Sequence, residues 1–242
     1  MSEDKITGVC GNEEITFDDS PDIVHHILYS ANQKPYFEVV ATFLPGATLT
    51  INGLPRAEED IKWASSCWGI DIRLVSYNDF SGGDQTVVDS RITDSDLQCD
   101  SGSTLSKNED FKKFFREYII PDEPTPPTRI YILYIGSDVF PNKQTIGCAH
   151  HNFSLNNYRY QIIIISDDAA KSWNKSACAH ELGHIFFGTV PQQSNDDPTS
   201  NKNHPNAHSP NSNNVMYSPS GENQIITDEQ RSKALKSRLI RR

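Results

Sequence analysis

His180-Glu181-Leu182-Gly183-His184 is an HExxH pentapeptide. On a helix, residues four apart lie one above the other on the same face, so these two imidazoles can share one Zn²⁺. Glu181, beside the first of them, can reach a water on that metal as a general base. The implied reaction is hydrolysis: zinc lowers the water pKa, Glu181 takes the proton, and the metal polarises the scissile carbonyl. A catalytic zinc site needs a third protein ligand and leaves its fourth position to water. Downstream stand His204, His208, Asp196 and Asp197, with Glu229 further on. Imidazole suits zinc, so the histidines come first. The competing reading from another class is a binding or structural protein whose metal site is closed or inactive.

Past these residues comes Asn214-Val215-Met216-Tyr217. HELGH, a glycine soon after it, a downstream His and then NVMY resemble the metzincin clan of zinc metallopeptidases. By motif the resemblance covers His180 to Tyr217; by order of strands and helices it runs from about Tyr36 to the C-terminus. It implies that His180 and His184 are zinc ligands, Glu181 the general base and Met216 the methionine of a turn beneath the metal. This chain departs from the clan in two places. The clan glycine falls where Phe187 stands, one residue before Gly188, and the clan's third ligand falls at Val190. The third ligand is therefore displaced by a polar insertion. His208 precedes Met216 by the spacing of short metzincins and is favoured over His204, after which Pro205 restricts the chain. Tyr217 follows Met216 directly and is assigned a structural place at the site. The resemblance also implies an antiparallel edge strand on the cleft rim, at Gln144 to His151. There the backbone of Gly147, Cys148 and Ala149 would dock an extended protein or peptide substrate. His150 and His151, adjacent on a strand, point to opposite faces and read as rim or surface residues. Some metzincins are held latent by a propeptide Cys, a role that Cys10 in Gly8-Val9-Cys10-Gly11 could fill.

The elements that must hold these residues are legible in the pattern. Tyr36–Leu44 and Ile70–Tyr77 read as strands around a helix over Ala57–Trp68, stopped by Gly69. Asn108–Ile119 reads as an amphipathic helix with Phe111, Phe114, Phe115 and Tyr118 on one face. Arg129–Ile135 and Arg159–Ser166 are apolar enough to be strands covered on both faces. Thr145–His150 is a short strand. Ala169–Phe187 reads as one long helix capped by Ser166-Asp167-Asp168 and ended at Gly188. Pro191–Asn214 is a polar loop, and Thr227–Leu239 a helix opened by a Thr227/Gln230 capping box. The expected fold class is α/β, of zincin-like α+β form. It has a mixed twisted sheet with an antiparallel edge strand, an active-site helix, and a C-terminal subdomain with the methionine turn and terminal helix. Residues 1–34 read as an N-terminal extension and 35–242 as the catalytic domain.

Composition narrows the setting. Lys and Arg number 22 against 32 Asp and Glu, a net charge of −10, which opposes binding to nucleic acid or an anionic membrane. The longest apolar run, Ile162–Ile165, is far too short to span a bilayer, and the acidic N-terminus has no signal-peptide core. The five cysteines, odd in number and scattered, do not read as a disulfide framework. A cytoplasmic enzyme, or a toxin or effector exported by a non-classical route, fits these features.

Overall fold

Ile130, Ile132 and Tyr134 alternate along a strand with Tyr131, Leu133 and Ile135, and all six are buried. A strand apolar on both faces needs a packed layer on each side. The two sets enter separate cores, one on each face of the sheet.

The computed structural model describes residues 7–10, 13–16, 34–82, 105–120, 128–136, 140, 145–170, 175–201, 208–217 and 225–242. Strands β1 (Thr7–Cys10) and β2 (Glu13–Thr16) pair antiparallel. Tyr36–Arg241 form a separate compact unit. It opens with β3 (Tyr36–Phe43), the ribbon of β4 (Thr50–Ile51) and β5 (Leu54–Pro55), helix α1 (Arg56–Trp68) and β6 (Asp71–Asp79). Then come α2 (Glu109–Phe114), β7 (Arg129–Ile135), β8 (Gly147–Leu155), β9 (Tyr158–Ser166), α3 (Ala177–Gly188) and α4 (Asp228–Ala234).

The sheet order is β6-β3-β7-β9-β8; all neighbours are parallel except β8, which runs antiparallel to β9 at one edge. The fold is thus mixed α/β with a five-stranded, mostly parallel sheet. The β8–β9 hairpin turns at Asn156 and Asn157, whose φ values of 51° and 66° suit the primed turn that matches strand twist. β8 reaches Leu155, beyond the short strand expected. One face of the sheet carries α1, α3 and α4, and the other carries α2. No described helix is long and apolar enough to cross a membrane.

Three local expectations change. The helix after Asn108 passes into a π turn over Phe115–Ile119, closed by Ile120 N–H on Phe115 O at 3.0 Å. The extra residue in that turn shifts the phase, so Ile119 is buried while Tyr118 is 44% exposed. The long helix expected from Ala169 is not continuous. A 3₁₀ turn spans Asp167–Ala170, Lys175 and Ser176 lie in a turn, and α3 begins at Ala177. Asp167 does not cap a helix; its carboxylate accepts the Thr48 N–H at 3.0 Å and the Thr48 hydroxyl at 2.7 Å, and pairs with Arg56. Finally, Cys148 is disulfide-bonded, which corrects the reading of the cysteines as a non-disulfide set. Cys67 and Cys178 are free.

Arg56 is the buried cation of this face. It lies fully enclosed over the Tyr134 ring, 4.6 Å from its centroid, and donates to Ser166 O at 2.6 Å. It also faces Asp167 and, at 3.9 Å, Asp60. Burial pushes the Asp60 carboxyl up to about 6 against the pull of Arg56. Removing one member of a buried ion cluster leaves the others uncompensated, at a cost of about 3–5 kcal/mol. Arg56→Met should lose that much stability in urea unfolding at pH 7; a loss below about 1 kcal/mol would mean that water already solvates the two carboxylates.

Candidate metal centre

α3 is buried almost all round, with the sheet and α1 on one side and the segment through Met216 on the other. Trp68 at the end of α1 donates its indole N–H to Ala179 O at 2.9 Å and packs edge-on against Phe186 and Phe187. These contacts hold the helix that carries His180, Glu181 and His184.

His180 Nδ1 donates to the carbonyl of Val215 at 2.7 Å, because a carbonyl can only accept. That assignment leaves Nε2 with a free lone pair, the arrangement usual for a metal-ligating imidazole. His180 Nε2 and His184 Nε2 are 3.1 Å apart. His208 completes the group: its ring centroid is 5.2 Å from that of His180 and 5.1 Å from that of His184. One ligand atom from each of the three lies within 4.8 Å of the others. Two nitrogens bound tetrahedrally at ordinary Zn–N lengths stand ~3.3 Å apart, so the spacing of the His180–His184 pair fits such an ion. Burial, reinforced by the charge of His208, drives His180 down to about 4, and burial holds His184 well below the usual imidazole range. Both imidazoles are therefore neutral near pH 7, as metal ligation requires. The three histidines could hold a metal ion.

Glu181 is buried beside them, and that burial pushes its carboxyl up to about 8. It lies against the start of β8: a Cβ at Gly147 would stand 2.9 Å from Glu181 Oε1 and 3.0 Å from its Cγ. Seven residues along α3, a Cβ at Gly188 would stand 2.6 Å from the His151 ring. Edge strand and helix thus run side by side in the same direction.

The other sequence candidates are placed as follows. His204 lies outside the described residues, as does Gln144, and nothing is described of the Cys10 side chain. Asp196 and Glu229 are exposed. Asp197 is buried, but Oδ1 accepts from Thr199 N–H at 2.7 Å and Oδ2 from Gln230 at 2.8 Å. None of the three acids joins the histidine cluster among the described residues. Gly147, Cys148 and Ala149 are on the edge strand and buried. His150 is fully buried and His151 is 9% exposed, with its Nε2 3.2 Å from Asn195 Nδ2, so neither is the surface residue expected. β8 is covered by α3 on one face and by the aromatic cluster around Phe153 on the other, which is why both orientations are buried. Tyr217 is half-buried directly after Met216.

Two site features were not foreseen. The Val215 carbonyl that fixes the His180 tautomer has no side-chain signature. Gly183, between the two ligand-bearing positions, is where Met216 reaches the helix: a Cβ there would fall 2.2 Å from Met216 Sδ and 2.8 Å from Trp68 Cζ2. A glycine inside a strong helical pattern was the available clue, since it costs ~1 kcal/mol relative to alanine and needs a packing reason.

No protein-family model matches the chain, and no curated protein matches it. Among solved structures it is similar to the crystal structure of metalloproteinase-II from Bacteroides fragilis, at 17% identity and a TM-score of 0.49. The match covers 84% of this chain and 52% of that one, so the chain spans about half the length of that structure.

Gly183→Ala tests the close approach by sign. Open helix positions gain ~1 kcal/mol from this change. Here overpacking against Met216 and Trp68 should instead cost about 1–3 kcal/mol in chemical denaturation. A gain would show that the thioether does not rest on the helix backbone.

Proposed function

We propose that this chain is a zinc endopeptidase of the metzincin type, with the ion held by His180, His184 and His208. The observation that carries the reading is the convergence of three imidazoles, with one ligand atom of each within 4.8 Å of the others, beside the buried Glu181 carboxyl. When bound, zinc supplies a Lewis acid that polarises a carbonyl and acidifies a water. Glu181 takes the proton of the attacking water and returns it to the leaving amine. The backbone of Gly147, Cys148 and Ala149 binds the extended peptide by strand addition along β8. Met216, pressed against Gly183, forms the floor, and Tyr217 packs beside it.

In this reading residues 35–242 are the catalytic domain and 1–34 its extension. Substrates are proteins or peptides; a net charge of −10 opposes binding to nucleic acid. The disulfide at Cys148 favours an oxidising destination, so we favour an exported toxin or effector over a cytoplasmic housekeeping enzyme.

Purified protein should carry one zinc ion per chain and cleave casein or a peptide library. A chelator should abolish cleavage and added Zn²⁺ restore it. Glu181→Gln should keep the zinc while kcat falls about 10²- to 10⁴-fold. Zinc-loaded protein that cleaves nothing would leave the metal site standing and remove the peptidase.

The third ligand has its own test. His208→Ala should weaken zinc binding strongly and open the Pro191–Ala207 stretch to proteolysis, whereas His204→Ala should do much less. The reverse ranking would give the metal to His204.

A further inference from the structure

Gln230 is fully buried although it sits in the first turn of α4, next to exposed Asp228 and Glu229. Its Oε1 accepts the Thr227 N–H at 3.0 Å, completing the capping box, and also Asn214 Nδ2 at 2.8 Å. Its Nε2 donates to Asp197 Oδ2 at 2.8 Å and to Asn214 Oδ1 at 2.9 Å. Asn214 Oδ1 accepts in turn from Met216 N–H at 2.9 Å. One amide therefore ties together the segment after α3, the turn of Asn214–Met216 and α4. His208 lies in the chain between Asp197 and Asn214, so the loop that brings it to the cluster is fastened near both ends by this side chain. The same turn presents the Val215 carbonyl to His180.

Capping alone does not require a glutamine. A glutamate at that helix position would accept the Thr227 N–H equally well, and its charge would favour the helix N-terminus. What only the amide supplies is donation, to Asp197 and Asn214. One turn along α4, Lys233 Nζ donates to Ser194 O at 2.7 Å and Asp196 O at 2.6 Å. α4 is thus a template against which the polar stretch after α3 is laid.

We infer that Gln230 is a positioning residue for the metal centre: through Asp197 and Asn214 it places His208 and, through the Val215 carbonyl, orients His180. This rests on the metal-binding reading above. The Val215 carbonyl stands one step behind His180, where loss of a partner typically changes affinity 10- to 100-fold, and Gln230 acts through Asn214 a step further back, so the lower end of that range is expected.

The test is a polarity swap, with zinc affinity read by chelator competition and site geometry by the visible spectrum of Co²⁺-loaded protein. Gln230→Glu sets a carboxylate against Asp197 and Asn214 Oδ1, and Asp197→Asn leaves one acceptor oxygen for donors from both Gln230 and Thr199. Each should weaken zinc about 10-fold and change the Co²⁺ bands. The double variant lets Asn at 197 donate to Glu at 230 but leaves that carboxylate against Asn214 Oδ1, so it should recover only part of the affinity lost in Gln230→Glu. Where a charged variant fails to fold, Gln230→Ala decides: weakened zinc and altered Co²⁺ bands support the inference, and wild-type affinity and bands overturn it. Single variants with lowered thermal midpoints but wild-type affinity and bands would make Gln230 merely structural and sink this inference alone. A wild-type chain that binds neither ion would sink the metal reading, and the inference with it.

Discussion

The structure depends on burying a helix that carries two imidazoles and a carboxylate. α3 is enclosed by the sheet, α1 and the segment through Met216, so His180 and Glu181 have no easy access to water. Buried polar groups must find partners or change protonation state. His180 does both: its Nδ1–H is spent on Val215 O, and burial drives its proton affinity down. What remains is a close group of imidazole nitrogens, with His180 Nε2 and His184 Nε2 3.1 Å apart, that could hold a cation.

Glycines set how closely the surrounding layers approach that helix. At Gly147 the edge strand comes within contact of the Glu181 carboxyl, and at Gly183 the Met216 thioether reaches the helix backbone. Gly188 does the same for the His151 ring. A side chain at any of these positions would push apart the strand, helix and turn from which the site is made.

Two polar networks hold the outer parts in place, one around a buried guanidinium and one around a buried amide. Arg56 joins α1 to the end of β9 through Ser166 and Asp167. Gln230 joins α4 to the loop and turn that bring His208 in. The stretch after α3 is poor in apolar residues and cannot order itself by hydrophobic burial. Its residues Ser194, Asp196 and Asp197 are held by hydrogen bonds to α4 instead. That is how a segment with the composition of a disordered chain can carry a precisely placed imidazole.

Features governed by neighbours in the chain were legible from residue order alone. The alternation and apolar content of Tyr36–Phe43, Arg129–Ile135 and Tyr158–Ser166 mark the buried strands. The spacing of His180 and His184 sets them on one face of a helix, and Thr227 with Gln230 marks the start of the last one. Each of these follows from a period of two or 3.6 residues, or from a side chain bonding its own backbone. The rest was decided by residues far apart in sequence. Asp167 leaves its expected capping role because Thr48 and Arg56 compete for its oxygens. His150 and His151 are buried because α3 and the Phe153 cluster cover both faces of their strand. The cysteine pattern did not betray the disulfide at Cys148, since bridging depends on distances in space and not on spacing in the chain. The residue types and intervals of the His/Glu site were set locally. His208 meets His180 and His184, and Gln230 meets Asn214 and Asp197, across distances in the chain that no local period encodes.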